Sequence, residues 1–278
     1  MSADAARIAA IALAEDGETD VTSAVTVPAG LEAEGMIEFR SGGVLAGAAF
    51  ADAVAESCGC RIEWRLADGD TAPAGAVAGV LRGTLAGILR AERPLLNVLQ
   101  RAAGIATATR AYVAAVAGTG CRILHTRKTA PGLRALDIAA VLAGGGALHR
   151  RDLSHEVMVK DNHWQAVVRS GRTLADALAG ARRLGVTALY VEVESLVQLE
   201  QACAAGATRL LVDNQTPATV QAWSARARGL VPGIEIEATG GITLDNVRAY
   251  AEAGADFVSI GALTHSVRAA DLAVEVRA

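Results

Sequence analysis

The residues best suited to chemistry lie in one stretch of 39 residues, from His125 to His163. The chain has 26 lysines and arginines in total, but its only two lysines, Lys128 and Lys160, both fall within this stretch. An ammonium group is a compact point charge that a planar guanidinium cannot replace in a tight site. We therefore expect both positions to require an amine, against the alternative that the two lysines persist by chance.

The same stretch carries further cations that could bind an anion. Five side chains are candidates for one shared pocket: Arg127, Lys128, His149, Arg150 and Lys160. So many positive charges share a pocket only if they bind more than one anionic group, and arginines offer two parallel N–H donors to a carboxylate. The alternative is that each cation lies on the surface and pairs with an acid. The acids close in sequence are Asp137, Asp152, Glu156 and Asp161.

The second half of the chain must position these side chains, and its pattern predicts a parallel sheet. Short apolar runs alternate with helical segments after Gly120, which is typical of parallel strands joined by crossover helices. The runs span residues 122–125, 157–159, 189–191, 209–212, 234–237 and 257–260. Six or seven such units predict an α/β barrel that is one strand short of eight.

Polar or glycine residues occur at the end of every run. They are the segment 126–128, Lys160, Glu192, Asp213, Thr239 and Gly261. In a barrel, the carboxyl ends of the strands form the face that carries the active site. The repetition over six runs therefore predicts one site at this face.

Glu192 and Asp213 end consecutive runs, so adjacent strands would bring their carboxylates close together. Two such carboxylates suit Mg²⁺, which binds one or two carboxylates together with substrate phosphates, or they suit the hydroxyls of a ribose. Two alternatives stay open. The acids could simply be neutralised by the nearby cations, and Glu194 lies on the same face of its strand as Glu192.

Glycines after the last two runs predict a phosphate site. Thr239, Gly240 and Gly241 follow the fifth run, and Gly261 follows the sixth. Backbone N–H groups in such loops, and at the N-terminus of the helix that follows, bind phosphate in barrels. We predict that Thr243 caps that helix. The three glycines at 144–146 are either a flexible turn or a place where the backbone passes close to a ligand.

The first part of the chain predicts an α+β module with a mainly antiparallel sheet, because residues 31–43 and 61–66 alternate apolar and polar side chains. A long helical pattern follows from Thr84. Proline lacks an N–H donor and disfavours helix in the residue before it. Pro94 therefore predicts a break at residues 92–93 and a new helix from residue 94, which would place Arg93 in a loop.

Composition argues against several classes of protein. The net charge is −4 and aromatic residues make up 3% of the chain, so we predict no nucleic-acid partner. No apolar run of about 18 residues lacks a charge or polar break, so we predict no membrane span. The four cysteines match neither a zinc motif nor a redox pair, which favours reduced thiols in a cytoplasmic protein.

Nine segments, taken in order, resemble the quinolinate phosphoribosyltransferase family. They are GGVLAG (42–47), ERPLLNVLQRAAGIAT (92–107), HTRKTAPGLRAL (125–136), GGGALHR (144–150), VKDNH (159–163), VEVES (191–195), VDN (212–214), EATGGITLDNV (237–247) and DFVSIGALTHS (256–266). The resemblance implies an N-terminal α/β sandwich domain over residues 1–108, with the segment 266–278 packing back onto it. It also implies a seven-stranded, incomplete α/β barrel over residues 109–265, in a homodimer.

The resemblance further implies transfer of phosphoribose from phosphoribosyl pyrophosphate to quinolinate in NAD biosynthesis, with Mg²⁺ and with release of pyrophosphate and CO₂. By motif position, the implied quinolinate contacts are Arg93, Arg127, Lys128, His149, Arg150 and Lys160. Arg93 would act in the partner subunit's site. The implied ribose, metal and phosphate contacts are Glu192, Asp213, Thr239, Gly240, Gly241 and Gly261. Glu192 and Asp213 are also the implied metal ligands, and the implied catalytic residues are Lys128, Lys160, Glu192 and Asp213.

Three departures from the family pattern affect the expected pocket wall. Thr239 stands where the family usually has serine, which keeps the hydroxyl. Residues 136–141 read LDIAAV where LEKYAV is usual, so one cation and one aromatic side chain are missing. Leu148 stands where asparagine is usual, and the segment 151–153 differs as well.

Three other functions compete with this one. A molybdenum-transport-associated paralogue of the same fold has a different substrate, but we expect an altered KDNH segment there, and the segment is intact here. A Schiff-base aldolase could use Lys128 or Lys160, although it would need neither the acid pair nor the phosphate loops. A non-catalytic barrel that binds anions is the third alternative.

Overall fold

In the computed structural model, which describes residues 2–277, the chain forms two compact units. The first comprises Met1–Arg110, Lys128–Gly146 and Ala262–Ala278, and the second comprises Ala111–Arg127 and Ala147–Gly261. The domain boundaries predicted at residues 108 and 265 stay predictions. None of the helices in the described part of the chain combines the length and apolarity needed to cross a membrane.

The secondary structure alternates irregularly at first and then regularly. The helices are α1 (Ala3–Glu15), α2 (Val21–Thr26), α3 (Ala48–Ser57), α4 (Leu85–Ala115), α5 (Arg134–Ala143), α6 (Asp161–Arg169), α7 (Leu174–Arg183), α8 (Leu196–Ala205), α9 (Pro217–Leu230), α10 (Val247–Glu252) and α11 (Ala262–His265). The strands are β1 (Glu32–Phe39), β2 (Gly43–Val44), β3 (Arg61–Trp64), β4 (Thr71–Ala72), β5 (Val77–Thr84), β6 (Arg122–Leu124), β7 (Val157–Val159), β8 (Leu189–Val193), β9 (Arg209–Asp213), β10 (Glu235–Thr239), β11 (Phe257–Ser259) and β12 (Leu272–Arg277).

The first unit is built on a four-stranded antiparallel sheet in the order β12-β1-β5-β3. Along β1, the even-numbered residues are exposed or partly exposed and the odd-numbered residues, such as Ile37 and Phe39, are buried, as the sequence pattern predicts. The C-terminal strand β12 pairs with β1, with Leu272 opposite Phe39. The last strand of the chain therefore completes the sheet that the N-terminal segment begins.

Helix α4 shows that the predicted helix break is wrong. The helix runs from Leu85 to Ala115 with Pro94 inside it, so Arg93 is an exposed helical residue and not a loop residue. A proline in a helix interior removes a hydrogen bond and costs about 3 kcal/mol or more. Ala91, Leu95 and Leu99 beside it have no exposed surface. Their burial stabilises the continuous helix by more than the proline destabilises it.

The second unit contains a parallel sheet of six strands in the order β6-β11-β10-β9-β8-β7. All six apolar runs predicted as strands are strands, and the incomplete α/β barrel is confirmed. A single parallel bridge joins Leu124 to Ala147 at the position where a seventh strand is expected. Most residues within these strands are apolar and buried, as in parallel sheets that are covered on both faces, and Glu237 is a charged exception.

Candidate active site

The carboxyl ends of four neighbouring strands carry the polar side chains that the sequence predicted there. Lys160 follows β7, and Glu192 is the next-to-last residue of β8. Asp213 ends β9, and Thr239 ends β10. The strands are in parallel register, so Asp213 and Thr239 are directly paired. Parallel strands present their ends at one edge, and the alignment gathers these side chains at a single face of the unit.

Arg127 and Arg150 form the cationic part of this site. Both are half-buried, and desolvation together with the charge of Arg127 lowers the pKa of the Arg150 guanidinium. The Nε of Arg127 is buried, and it has no hydrogen-bond partner among the residues that the structure describes. Two guanidinium groups close enough to repel each other, one with an unused donor, suit a ligand that carries more than one negative charge.

His149 was predicted to contact substrate, but both of its ring nitrogens contact the protein. Nδ1 accepts a hydrogen bond from the backbone N–H of Arg150 at 2.6 Å. Nε2 lies 3.2 Å from both carboxylate oxygens of Glu237. The backbone N–H of His149 donates to Nε2 of His125 at 3.0 Å. His149 is thus buried in a network with two other side chains directly beside Arg150.

Glu237 and Arg209 form a buried ion pair in the strands below these groups. Nη1 of Arg209 lies 3.2 Å from Glu237, and its Nε donates to Glu235 at 2.8 Å. The guanidinium also stacks 3.9 Å from the centre of the Phe257 ring. Burial by itself raises the pKa of Glu237, but its interactions with His149, Ser259 and Arg209 outweigh this effect, so the pKa lies below its ordinary value.

Lys160, Glu192 and Asp213 form the acidic part of the site. The ammonium of Lys160 pairs with the carboxylate of Glu192, and burial and the Glu192 charge raise the pKa of Asp213 while Lys160 lowers it. The indole N–H of Trp164 donates to the carbonyl of Glu192 at 2.9 Å. Glu194 is exposed and lies beyond the end of β8. The structure therefore selects Glu192 over Glu194 as the inward acid.

The carboxylates of Glu192 and Asp213 are suitable ligands for a divalent cation. The charge of Glu192 helps to raise the pKa of Asp213, and a bound cation would offset that repulsion. Among the residues 2–277, no group of three or more His, Cys, Asp or Glu side chains could hold a metal by itself. Mg²⁺ commonly takes one or two protein carboxylates and completes its shell with water and substrate phosphates. Glu192 and Asp213 offer that kind of partial donor set.

The loop after β10 packs closely against the loop after β9. Gly240 has φ +84°, and a Cβ there would lie 2.2 Å from Oδ1 of Asn214. Asn214 has φ 52°, and its amide donates to the carboxylate of Asp213 at 2.5 Å. Gly241 has φ +63° with open space around its Cα. Only glycine allows the backbone of this loop to approach its neighbour so closely.

The helix after this loop begins later than predicted. Asn246, not Thr243, precedes α10, and its side chain makes no capping hydrogen bond to the helix. Instead the Asn246 side chain accepts from the backbone N–H of Thr243 at 2.8 Å. Residues 244–246 form a turn, and α10 has only six residues. The N–H groups of this loop are therefore the candidates for the predicted phosphate contact, which stays a prediction.

Packing within the first unit explains two of the three glycines at 144–146. A Cβ on Gly144 would lie 2.5 Å from the carbonyl of Ala106, and one on Gly146 would lie 2.6 Å from Val141. Nε of Arg110 donates to the carbonyl of Gly144 at 3.0 Å. The close approach at Gly144 and Gly146 is thus to protein backbone and side chains. Residues 144–145 form a turn after α5, in which Gly145 has φ +91°, so a turn is present as one of the two alternatives had it.

Lys128 and Arg93 belong to the first unit, whereas the other predicted site residues belong to the second. Lys128 is exposed, and its carbonyl accepts from the hydroxyl of Thr264 at 2.8 Å. Arg93 is exposed on α4. Their roles toward substrate stay predictions. The substituted residues Leu148 and Leu153 are 52% and 68% exposed, so neither is part of a buried pocket wall.

Sequence reasoning missed Arg209, Glu237 and Ser259 as a group. Glu237 lies inside β10, whereas Arg209 begins β9 and Ser259 ends β11. A rule that considers only the residue following each apolar run passes over all three. The presence of charged residues in these strands was a usable signal for a buried ion pair. Arg209 and Glu237 are charged residues in otherwise apolar parallel strands, and such charges are almost never buried unless paired.

Comparison with known proteins agrees with the fold. The sequence profile of the quinolinate phosphoribosyl transferase N-terminal domain matches residues 20–103, and that of its C-terminal domain matches residues 105–275. A nicotinate-nucleotide pyrophosphorylase (carboxylating) from Mycobacterium leprae (strain TN) is 40% identical over 266 residues, covering 92% of this chain and 91% of the relative. The Homo sapiens nicotinate-nucleotide pyrophosphorylase (carboxylating) is 39% identical, covering 85% of this chain and 80% of the relative.

A solved structure shows the same architecture. The nicotinate-nucleotide pyrophosphorylase from Francisella tularensis superposes with a TM-score of 0.90 at 32% identity, covering 99% of this chain and 96% of that one. The two domain profiles together span most of the sequence, and the relatives match it over nearly their whole length. This chain therefore belongs to the quinolinate phosphoribosyltransferase family.

Proposed function

We propose that this protein transfers phosphoribose from phosphoribosyl pyrophosphate to quinolinate, forming nicotinate mononucleotide, pyrophosphate and CO₂ in NAD biosynthesis. The observation that carries the proposal is the half-buried pair Arg127 and Arg150, with a buried Nε on Arg127 that lacks a partner among the described residues. Such a pair requires a ligand with adjacent negative charges. Quinolinate, a pyridine with two neighbouring carboxylates, is a ligand of that kind.

The dicarboxylate is held by cations. Arg127 and Arg150 each offer a planar set of N–H donors to a carboxylate, and Lys160 offers a point charge at the adjoining strand end. Lys128 would lie between quinolinate and pyrophosphate, and Arg93 would reach the site of the partner subunit in a homodimer. These last two assignments follow the family motifs, and the strand-end geometry supports the first three.

The phosphosugar is held by the later strands. Glu192 and Asp213 would bind the ribose hydroxyls and would hold Mg²⁺, which would neutralise negative charge on the pyrophosphate. N–H groups of the loop containing Gly240 and Gly241, with Gly261 and the hydroxyl of Thr239, bind the 5′-phosphate. Gly241 has open space around it, in which a phosphate would fit, whereas Gly240 packs against Asn214.

The transfer step needs no covalent nucleophile on the protein. The pyridine nitrogen attacks the anomeric carbon of the ribose as the bond to pyrophosphate breaks. Positive charge grows on the ribose, and the carboxylates of Glu192 and Asp213 stabilise it. The cations that hold the substrates stabilise the departing negative charge. The arrangement acts mainly by orienting two substrates and by placing fixed charges where charge develops.

The second step releases CO₂ from the carboxylate next to the ring nitrogen. The C–C bond breaks, its electron pair stays on the ring carbon, and the adjacent positively charged nitrogen stabilises it. A proton then adds to that carbon. The protein must hold the remaining carboxylate while the other departs, which a cluster of separate cations achieves better than one.

We also propose a cytoplasmic homodimer. All four cysteines are free, and burial raises the pKa of the Cys121 thiol to about 12, so it stays protonated. Free thiols of this kind suit a reducing compartment. A homodimer would let Arg93 of one subunit act in the site of the other.

The competing functions are less well supported. Lys160 is ion-paired with Glu192, and an ammonium in an ion pair has no lone pair for attack on a carbonyl. The intact residues 159–163 and the named relatives argue against the molybdenum-associated paralogue. A non-catalytic barrel would have no need of the carboxylate pair at the ends of β8 and β9.

The test is product formation. Purified protein, quinolinate, phosphoribosyl pyrophosphate and Mg²⁺ should give nicotinate mononucleotide and CO₂ in equal amounts, measured by chromatography and by trapped labelled CO₂. Lys128→Ala should reduce turnover strongly, and Arg169→Ala at the exposed end of α6 should not. Absence of product from folded protein would refute the proposal, and unchanged turnover in Lys128→Ala would favour a barrel that only binds anions.

A further inference from the structure

The contact between His149 and Glu237 has no part in the substrate contacts proposed above. Both side chains are buried, with 8% and 1% of their surface exposed. Nε2 of the imidazole lies 3.2 Å from each oxygen of the carboxylate. A buried carboxylate is costly unless several donors satisfy it, so such a contact calls for a role.

The hydrogen bonds of the ring define its protonation. The backbone N–H of Arg150 points at Nδ1 of His149 at 2.6 Å, so Nδ1 must accept and cannot carry a proton. Nε2 faces a carboxylate and must donate. The imidazole is therefore neutral and protonated at Nε2, and it has no N–H left for a substrate carboxylate.

His125 fixes the same segment from its other side. Its Nε2 accepts from the backbone N–H of His149 at 3.0 Å, and its Nδ1 lies 3.3 Å from the carbonyl of Thr126. Burial lowers the pKa of His125 to about 4, so this ring is neutral as well. Two consecutive backbone N–H groups, those of residues 149 and 150, are thus each held by an imidazole nitrogen.

Glu237 is itself locked in place. It accepts a hydrogen bond from the hydroxyl of Ser259, in addition to those from His149 and Arg209. Arg209 is held by Glu235 and by the rings of Tyr190 and Phe257. The carboxylate of Glu237 therefore stays ionised and held in one position, where it accepts a hydrogen bond from the imidazole of His149.

We infer that Glu237 is a positioning residue for the dicarboxylate site: it fixes His149 as the neutral Nε2–H tautomer, and His149 holds the backbone of Arg150 so that the guanidinium meets a substrate carboxylate. The inference rests on the proposed function. It replaces the expectation that His149 itself binds quinolinate. Arg150 carries the contact, and its precision depends on side chains that never touch substrate.

The tautomer is tested first, by NMR on wild-type protein labelled with ¹⁵N-histidine. The chain has five histidines, and the spectrum of His149→Asn assigns the signals of interest. At neutral pH His149 should show one protonated and one unprotonated ring nitrogen, both without ligand and with quinolinate bound. Two protonated nitrogens in either state would overturn the inference.

The positioning role is tested by steady-state kinetics on Glu237→Gln, with Glu235→Gln as the matched control. Both variants remove one carboxylate partner of Arg209, but only the first removes the partner of His149. Glu237→Gln should raise the KM for quinolinate at least about tenfold and change the KM for phosphoribosyl pyrophosphate less than about twofold. The control should leave both values within about twofold of wild type. Equal effects of the two variants, or an unchanged KM for quinolinate, would overturn the inference.

The two arms separate this inference from the proposed function. The NMR arm measures wild-type protein, uses a variant only to assign its signals, and needs no turnover. An imidazolium signal in an enzyme that forms nicotinate mononucleotide overturns the positioning role alone. Failure of wild-type protein to form that product overturns the proposed function.

Discussion

Arg127→Met should weaken quinolinate binding and stabilise the ligand-free protein. Together, the two effects test how the pair Arg127 and Arg150 works. Methionine keeps an unbranched apolar stem and removes the guanidinium. A hydrogen bond to a charged group contributes about 1.5–3 kcal/mol. The KM for quinolinate should therefore rise by a factor of about 10–150. The KM for phosphoribosyl pyrophosphate should change little, because the glycine loop and the two acids hold that substrate.

The ligand-free protein should become more stable in the same variant. Arg127 holds a buried Nε without a partner among the described residues, and leaving such a donor unsatisfied costs about 1–3 kcal/mol. Its charge also lowers the pKa of Arg150, and relief of that repulsion adds less than about 1 kcal/mol because both groups are partly exposed to solvent. Lost contacts of the longer side chain offset part of the gain. We expect a net rise of about 1 kcal/mol in the free energy of unfolding, or roughly 2–4 °C in Tm.

The assay combines thermal unfolding with and without quinolinate and steady-state kinetics. Arg169→Met is the control, because Arg169 is exposed at the end of α6 and should show neither effect. In wild type, quinolinate should raise Tm, and in Arg127→Met it should not do so at the same concentration. A variant that is less stable than wild type without ligand, yet keeps its affinity for quinolinate, would refute the idea that Arg127 is held for the ligand.

Three further predictions concern the loop, the acids and the first unit. Gly240→Ala should raise the KM for phosphoribosyl pyrophosphate at least about tenfold and lower Tm, because a Cβ would lie 2.2 Å from a neighbouring side-chain oxygen; Gly241→Ala, with open space around it, should do so much less in the same assays. Burial and a neighbouring carboxylate raise the pKa of Asp213 in the folded protein. The free energy of unfolding should therefore fall as pH rises from the ordinary pKa of an aspartate, about 4, through the raised pKa of Asp213. Asp213→Asn should abolish turnover and be more stable than wild type at neutral pH, and denaturant titrations should show that gain vanish in acid. Asp137→Ala leaves the charge of Arg101 without its bidentate, fully buried partner, and should lower the free energy of unfolding by about 3–5 kcal/mol, measured by urea titration.

The barrel could be predicted from sequence because its signals are local and repeated. Each of the six runs is short, apolar and followed by a polar or glycine residue, so both the strand and the functional end can be read from a few residues. Parallel order then brings the ends together without further information. The choice of Glu192 over Glu194 needed the structure, because both lie on one side of the strand and only the strand's end point separates them.

The two errors in the predicted helices have different physical causes. Pro94 breaks helices in isolation, but the buried face of α4 keeps the helix intact through it. Thr243 has the right type for a cap, but Asn246 binds its N–H and delays the helix. The first error comes from packing that the local pattern does not specify, and the second from a competing side chain three residues away.

The buried network explains why the barrel interior of this family member carries charge where apolar side chains would pack. A buried ion pair contributes little net stability compared with apolar residues of similar size, because desolvation costs nearly as much as the attraction returns. Arg209 and Glu237 are therefore poorly explained as stabilising elements. A fixed carboxylate that sets the tautomer of His149, and through it the backbone at Arg150, has a use that an apolar core lacks. The arginine that is predicted to bind a substrate carboxylate at the barrel mouth is thus oriented from inside the barrel.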